Sequence, residues 1–319
     1  MIKLGIMGSG RIAKRFVNDV RSRTDVIVVS VYNPHIESAS RFASENGIEH
    51  YTGNEEEFFD RVSAVYIATP HGTHYAYAKK ALSRGLNVLC EKPMALDPGQ
   101  VRELFDLASS EGVVLMEALK TAYLPGFIKL AELVSEGAVG KVCDVEAAFS
   151  RLTPAGSREF RDTECGGSFT EFGSYTLLPV IRFLGTDPED ITFQCLFDEN
   201  GIDVYTKASF TYKEAMGLSK TGLSAKTEGQ LVVAGTEGYI LAPSPWWLTR
   251  YFEVRYEDPD KKDVYSFPFE GSGLIYEINA FFDAVQKKAP AEDIFVREAI
   301  ARSDVMKRFF DHKGQKLSR

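Results

Sequence analysis

The sequence predicts an α/β protein: a doubly wound domain with a parallel sheet, followed by a second α/β domain whose sheet is open and mostly antiparallel. Three observations carry this. Short apolar runs alternate with helical stretches through the first third; the first run closes on Gly8-Ser9-Gly10; and after about Thr121 the rhythm changes to longer runs of alternating polarity.

Ile2–Met7 is a short apolar strand, followed by the glycine turn and a helix from about Arg11 to Arg21. Val26–Tyr32 is β-branched and reads as a strand, with a helix from about Ile36 to Asn46. Ala64–Thr69 and Leu86–Cys90 are further strands; THYAYAKKALSRG between them is a helix closed by Gly85. Asp97 caps another helix, with Pro98 at its first position and Gly112 at its stop, and Val113–Met116 is one more strand. Strands apolar on both faces, joined by helices, make a parallel sheet covered on both sides.

Beyond one further helix, LPGFIKLAELVSEG, come the β runs VCDVEAAFSRL, ITFQCLFDENGIDVYTKASFTY, LSAKTEGQLVVAGTEGYILAP and YFEVRYED, with Glu199-Asn200-Gly201 as a turn. The amphipathic segment GLIYEINAFFDAVQKK and helical spacing over Val296–Phe310 end the chain. The expected division is residues 1–120 and 121–319, with the C-terminal helix able to pack back on the first domain.

With 44% hydrophobic and 26% charged residues and a formal charge of -8, the 319-residue chain has the composition of a soluble globular protein and argues against nucleic acid or an anionic membrane as partner. Cys90, Cys143, Cys165 and Cys195 form neither a CxxC nor a Cys/His ligand pattern, so no metal site or disulfide framework is expected. The N-terminus enters a strand without the basic and apolar regions of a signal peptide, and no apolar run reaches the roughly 18 residues of a membrane span. The expected compartment is a reducing cytoplasm.

Gly8, Gly10 and Ala13 spell GxGxxA between a strand and a helix, the dinucleotide-binding fingerprint of a Rossmann domain. Gly8 permits the turn, Gly10 admits a pyrophosphate, Ala13 allows close packing, and the helix start at Ser9, Arg11 and Ile12 offers N–H groups to phosphate. The alternative is a purely structural turn. The second strand ends on Tyr32-Asn33-Pro34-His35 with no acid for a ribose 2′-hydroxyl. Asn33 suits a ribose hydroxyl, and Arg11, His35 and Arg41 suit a 2′-phosphate, although each is also an ordinary surface residue. The missing carboxylate removes a repulsion and favours NADP, with NAD left open.

The stretch LNVLCEKPMALDP ends a strand on Glu91-Lys92-Pro93. With the fingerprint, ATPHGTH, VLCEKPMAL, LMEA, EGAVGKV, CGGSFTEFGSY and VAGTEGYILAPSPWW in order, the chain resembles the Gfo/Idh/MocA oxidoreductases over nearly its whole length, and its dihydrodiol dehydrogenase-like branch in particular. The resemblance implies a Rossmann domain joined to an open-sheet domain, and a homodimer or higher homo-oligomer formed through that sheet. It also implies a Lys92 beside nicotinamide and substrate, a bond before Pro93 that is often cis, and cofactor contacts from Glu91, Thr69, Pro70 and His74. His74 either faces the ribose or is a helix-start histidine paired to solvent, and His71 is expected to be exposed. By the same resemblance Glu117 helps to orient Lys92.

Oxidising a carbinol requires loss of the hydroxyl proton to a base that works near neutral pH. Family members usually carry Asp and His in the GG motif; here the positions are Glu171 and Tyr175. A free tyrosine has a pKa of about 10, which a nearby ammonium lowers. Tyr175 is therefore the candidate acid/base and Lys92 its electrostatic partner; the alternative for Tyr175 is an aromatic that caps the domain interface. Glu171, on the same helical face as Tyr175, would bind a substrate hydroxyl or position Lys92. The family's usual Tyr-Arg-x-His-Pro is replaced by Lys120-Thr121-Ala122-Tyr123-Leu124-Pro125, so sugar specificity does not transfer. Tyr123, Arg158, Arg161 and Trp246 are candidate substrate contacts, and Trp246-Trp247 most simply cover the open sheet or its dimer contact. The expected activity is NAD(P)-dependent hydride transfer with a sugar, cyclitol or trans-dihydrodiol; the alternative is a cofactor-sensing regulator on the same scaffold.

Overall fold

The computed structural model describes residues 1–317. The chain divides into two compact units: Met1–Ala118 with Leu274–Ala299, and Leu119–Gly273 with the chain from Ile300 onward.

The first unit runs β1 (Ile2–Met7), α1 (Arg11–Val20), β2 (Val26–Tyr32), α2 (Ile36–Glu45), β3 (His50–Thr52), α3 (Glu55–Phe59), β4 (Ala64–Ile67), α4 (His74–Leu82), β5 (Asn87–Glu91), α5 (Pro98–Glu111) and β6 (Leu115–Ala118). Its six strands pair in parallel in the order β3-β2-β1-β4-β5-β6. That order reverses between β1 and β4, and the crevice beyond the strand ends at such a point is where dinucleotides bind. Helix α1 buries Ala13, Phe16, Val17 and Val20, and the Phe16 ring stacks on Tyr66 of β4 at 3.7 Å.

The short elements β3 and α3 went unforeseen, because three and five residues are too few to show a period. Asp97 Oδ1 accepts from the Gly99 and Gln100 N–H groups, and Gly112 takes the left-handed conformation that ends α5. The Val113 N–H then bonds back to the Ala108 carbonyl, so strand pairing starts at Leu115 and not at Val113, which places Glu117 within β6.

The second unit holds α6 (Pro125–Ser135), β7 (Val142–Ser150), α7 (Arg158–Arg161), α8 (Ser168–Leu184), β8 (Asp190–Phe197), β9 (Asp203–Thr211), β10 (Met216–Gly222), β11 (Leu231–Gly235), β12 (Tyr239–Ala242), β13 (Tyr251–Arg255) and β14 (Lys262–Ser266). The sheet order is β14-β13-β12-β11-β7-β10-β9-β8, antiparallel except for β7 with β10. Strands β10 and β14 add to the runs read from sequence. Helix α8 covers one face, where Thr176 and Ser219 hydroxyls meet at 2.6 Å. Alternation along the strands turns Met216, Leu218, Leu196 and Val264 to the other face.

Helix α9 (Leu274–Lys287) belongs to the first unit, where Leu274, Ile278, Phe281 and Phe282 join the core that contains Phe16. Arg23 fastens it through Asp283 at 2.8 Å and Asn279 at 3.1 Å. The last helix is α10 (Asp293–Leu317). Among the described residues no helix is long and apolar enough to cross a membrane.

Candidate active site

In the first unit the glycine turn has the form its sequence requires. Gly8 has φ +99°, and a Cβ there would lie 2.4 Å from the Ala68 carbonyl oxygen. A side chain on Gly10, in contrast, would meet no atom within 4 Å, which leaves open space at the head of α1. The first turn of α1 carries no acidic residue and no side-chain cap, so its N–H groups and positive dipole end suit a pyrophosphate. These residues fit a dinucleotide. Ile12 is half-buried and Arg11 exposed.

Asn33 serves a local purpose that the sequence did not reveal. Its Nδ2 donates to Ser9 Oγ at 2.8 Å and its Oδ1 accepts from the His35 N–H, tying the end of β2 to the glycine turn. His35 and Arg41 are exposed; Arg41 shares a shallow groove on α2 with Ile36, Glu37 and Tyr51.

At the carboxyl end of β5, Glu91 and Lys92 are each 8% exposed, and the Lys92–Pro93 bond is cis. Glu91 Oε1 accepts from the Tyr66 hydroxyl at 2.5 Å. An acid held from the sheet interior in this way is a strut for the Lys92 turn. Glu117 Oε1 accepts from the Met94 N–H at 2.9 Å, two residues beyond Lys92, and so holds the backbone of the turn that carries the lysine. Thr69 is half-buried and accepts from the Thr73 hydroxyl at 2.8 Å; Pro70 is exposed.

The two histidines depart from expectation. His71 is buried in a short 3-10 turn, its ring edge-on to His74 at 5.7 Å. His74 is fully buried, with Nδ1 2.8 Å from the Pro93 carbonyl oxygen and Nε2 2.8 Å from that of Thr69. Both ring nitrogens thus lie at hydrogen-bond distance from backbone carbonyls.

In the second unit, Glu171 and Tyr175 stand one turn apart on α8, both partly exposed. Glu171 Oε2 accepts from Arg158 of α7 at 3.3 Å. The Tyr175 ring packs on Phe149 of β7 at 5.2 Å, and Phe149 stacks in turn on Trp247 at 3.7 Å and Phe172 at 4.5 Å. Trp247 therefore backs the phenol on the helix-covered face and does not cover the open face of the sheet. Trp246 is fully buried and donates Nε1–H to the Ala148 carbonyl at 2.8 Å, a structural contact. Tyr123 is half-buried and Arg161 exposed.

The start of α8 depends on a residue that sequence reading missed. Asp203 of β9 is fully buried, and its Oδ2 accepts from the Phe169 N–H and the Ser168 hydroxyl, both at 2.8 Å, and from Thr206 at 2.9 Å. Burial pushes its carboxyl above the usual range, and these donors oppose the shift. Gly167, φ +109°, lets the carboxylate approach: a Cβ there would sit 1.9 Å from Asp203 Oδ1. An acid opening a strand just past an Asn-Gly turn was the available signal. Among the described residues no cluster could hold a metal ion.

Residues 2–119 match the model of an oxidoreductase family with an NAD-binding Rossmann fold, and residues 127–241 match the GFO/IDH/MocA C-terminal domain. A trans-1,2-dihydrobenzene-1,2-diol dehydrogenase of Xenopus laevis is 30% identical over 86% of each chain. The scyllo-inositol 2-dehydrogenase (NADP(+)) IolU of Bacillus subtilis is 25% identical over 96% of this chain and 95% of its own. Among solved structures, a 3-ketoreductase from Actinomadura kijaniata in complex with NADP and TDP-benzene superposes with TM-score 0.83 at 20% identity, covering 96% of this chain and 95% of that one. A protein of gentamicin A biosynthesis in complex with NAD superposes with TM-score 0.81 at 23% identity, covering 96% and 92%. Matches over both halves, with a relative 30% identical over 86% of the chain, place the chain in the GFO/IDH/MocA family of oxidoreductases with an NAD-binding Rossmann fold.

Proposed function

We propose that the protein transfers a hydride between NAD(P) and the secondary alcohol or carbonyl of a sugar, cyclitol or trans-dihydrodiol. The observation that carries this is Lys92, an ammonium-bearing side chain 8% exposed at a strand end whose neighbours Glu91 and Met94 are both tied down. Such investment in one lysine suits a positioned charge better than a surface residue. A bound nicotinamide supplies hydride acceptance in one direction and donation in the other.

In oxidation, Tyr175 Oη takes the substrate hydroxyl proton as the carbonyl forms, and in reduction it returns that proton. Lys92 Nζ donates to the substrate oxygen and favours the phenolate. Glu171, steadied by Arg158, accepts from a neighbouring hydroxyl, as a diol or polyol would provide. Lysine and tyrosine belong to different units, and their cooperation is part of this proposal.

NADP is the favoured cofactor, because β2 ends without a carboxylate while His35 and Arg41 stand exposed nearby in sequence. The half-apolar face of the second sheet, with Leu196, Met216 and Leu218, supports a homo-oligomer formed through it. Four free thiols suit a reducing compartment such as the cytoplasm. Polyols, aldoses and trans-dihydrodiols, each offered with NAD and NADP and followed at the nicotinamide absorbance, test the reading. Reduction of NADP by at least one class supports it; no absorbance change in either direction with any of them sinks it.

A further inference from the structure

The peptide unit between Pro93 and Met94 is gripped at both ends by side chains. Its carbonyl oxygen lies 2.8 Å from His74 Nδ1, and its N–H donates to Glu117 Oε1 at 2.9 Å. The second His74 nitrogen, Nε2, lies 2.8 Å from the Thr69 carbonyl oxygen just beyond β4. Carbonyl oxygens only accept. In a neutral imidazole one ring nitrogen carries a lone pair in place of a proton. Either neutral tautomer would therefore aim a lone pair at a carbonyl lone pair at hydrogen-bond distance, from a ring with no solvent exposure.

We propose that His74 is a buried imidazolium that donates from both nitrogens and acts as a positioning residue for Lys92. It clamps the turn after β5 to the turn after β4. Two charge-assisted bonds offset the cost of burying the cation. A cation at the carbonyl end and a carboxylate at the N–H end of one peptide are both aligned with its dipole, so each bond strengthens the other. The titratable groups on the surrounding elements are His71 on its own segment, Glu91 and Lys92 at the end of β5, Glu117 on β6 and Asp97 at the head of α5. The clamped peptide directly follows Pro93, so movement of this plane moves Lys92. The effect on turnover rests on the oxidoreductase reading above; the protonation state does not.

The experiment is nitrogen-detected NMR on protein labelled with 15N-histidine. The chain has five histidines, and His74 is assigned by removing the other four one at a time. Both His74 ring nitrogens should give protonated, pyrrole-type signals at pH 7; a pyridine-type signal from either one overturns the imidazolium. In parallel, His74→Gln, which can donate from one nitrogen only, should keep the nucleotide dissociation constant within about twofold while turnover falls about tenfold or more. Turnover at the wild-type level in the folded variant overturns the positioning role. If the variant does not fold, the wild-type ring signals still decide the assignment. If the wild-type protein turns over none of the diols and polyols, the oxidoreductase reading fails, and the same signals still support or overturn the clamp.

Discussion

Asp203 Oδ2 accepts the Phe169 N–H at 2.8 Å, so an acid from β9 caps the helix that carries Glu171 and Tyr175. Ordinary N-caps come from the residue just before the helix, but Gly167 has no side chain for the task, and a buried carboxylate from the sheet replaces it. Asp203→Ala should lower stability by roughly 2–3 kcal/mol, the cost of leaving buried donors unpaired. Asp203→Asn should cost less, because its carbonyl oxygen still accepts. Chemical denaturation of the three proteins checks the ranking; equal midpoints for Ala and wild type would remove Asp203 from this role.

Gly8→Ala should abolish nucleotide binding. The new Cβ meets the Ala68 carbonyl at 2.4 Å in a backbone conformation that L-residues avoid. Relief requires moving the turn that faces the pyrophosphate, and a shift costing about 1.4 kcal/mol already weakens binding tenfold. Calorimetric titration with NADPH reads it directly. Undiminished affinity would mean that the nucleotide is held elsewhere.

Leu218 sits beside Glu146 in the register of β10 with β7, on the sheet face turned away from α8. If copies associate through that face, Leu218→Glu buries a new charge next to an existing one and should yield monomers. Light scattering after size exclusion distinguishes the outcomes. An unchanged oligomer, or a wild-type protein that is already monomeric, contradicts association through this face.

Glu253 on β13 is held to a pKa of about 2 by the Tyr251 hydroxyl, Arg255 and Lys262. Its folded value lies below the unfolded one, so its contribution is complete above the usual carboxylate range and is lost as pH falls toward about 2. Glu253→Gln should melt lower than wild type at pH 6, with the difference shrinking steadily below about pH 4.5. A gap that does not depend on pH would assign the effect to packing.

What the sequence revealed was local chemistry. GxGxxA, the Asp97–Pro98–Gly112 punctuation of α5 and the alternating β runs each depend on neighbours within a few residues, so pattern and propensity expose them. What it concealed depends on partners distant in the chain. The bond from Asp203 to Ser168 spans 35 residues, and the stack of Trp247 on Phe149 joins β7 to a turn nearly a hundred positions later. His74 was visible as a residue but not as a clamp, because its acceptors are backbone atoms that any sequence supplies. Strand β3 was hidden by its length and Val113 by the helix-terminating hydrogen bond that precedes pairing.

The central claim is that the Tyr175 phenol exchanges the substrate proton. The direct measurement compares single-turnover hydride transfer in Tyr175→Phe and wild-type protein, with nucleotide affinity measured on the same samples. Removing the hydroxyl while keeping the ring on Phe149 should slow transfer by about 10²–10⁴-fold and leave the nucleotide dissociation constant unchanged. Transfer within a few-fold of wild type would contradict the assignment and move the proton to another group.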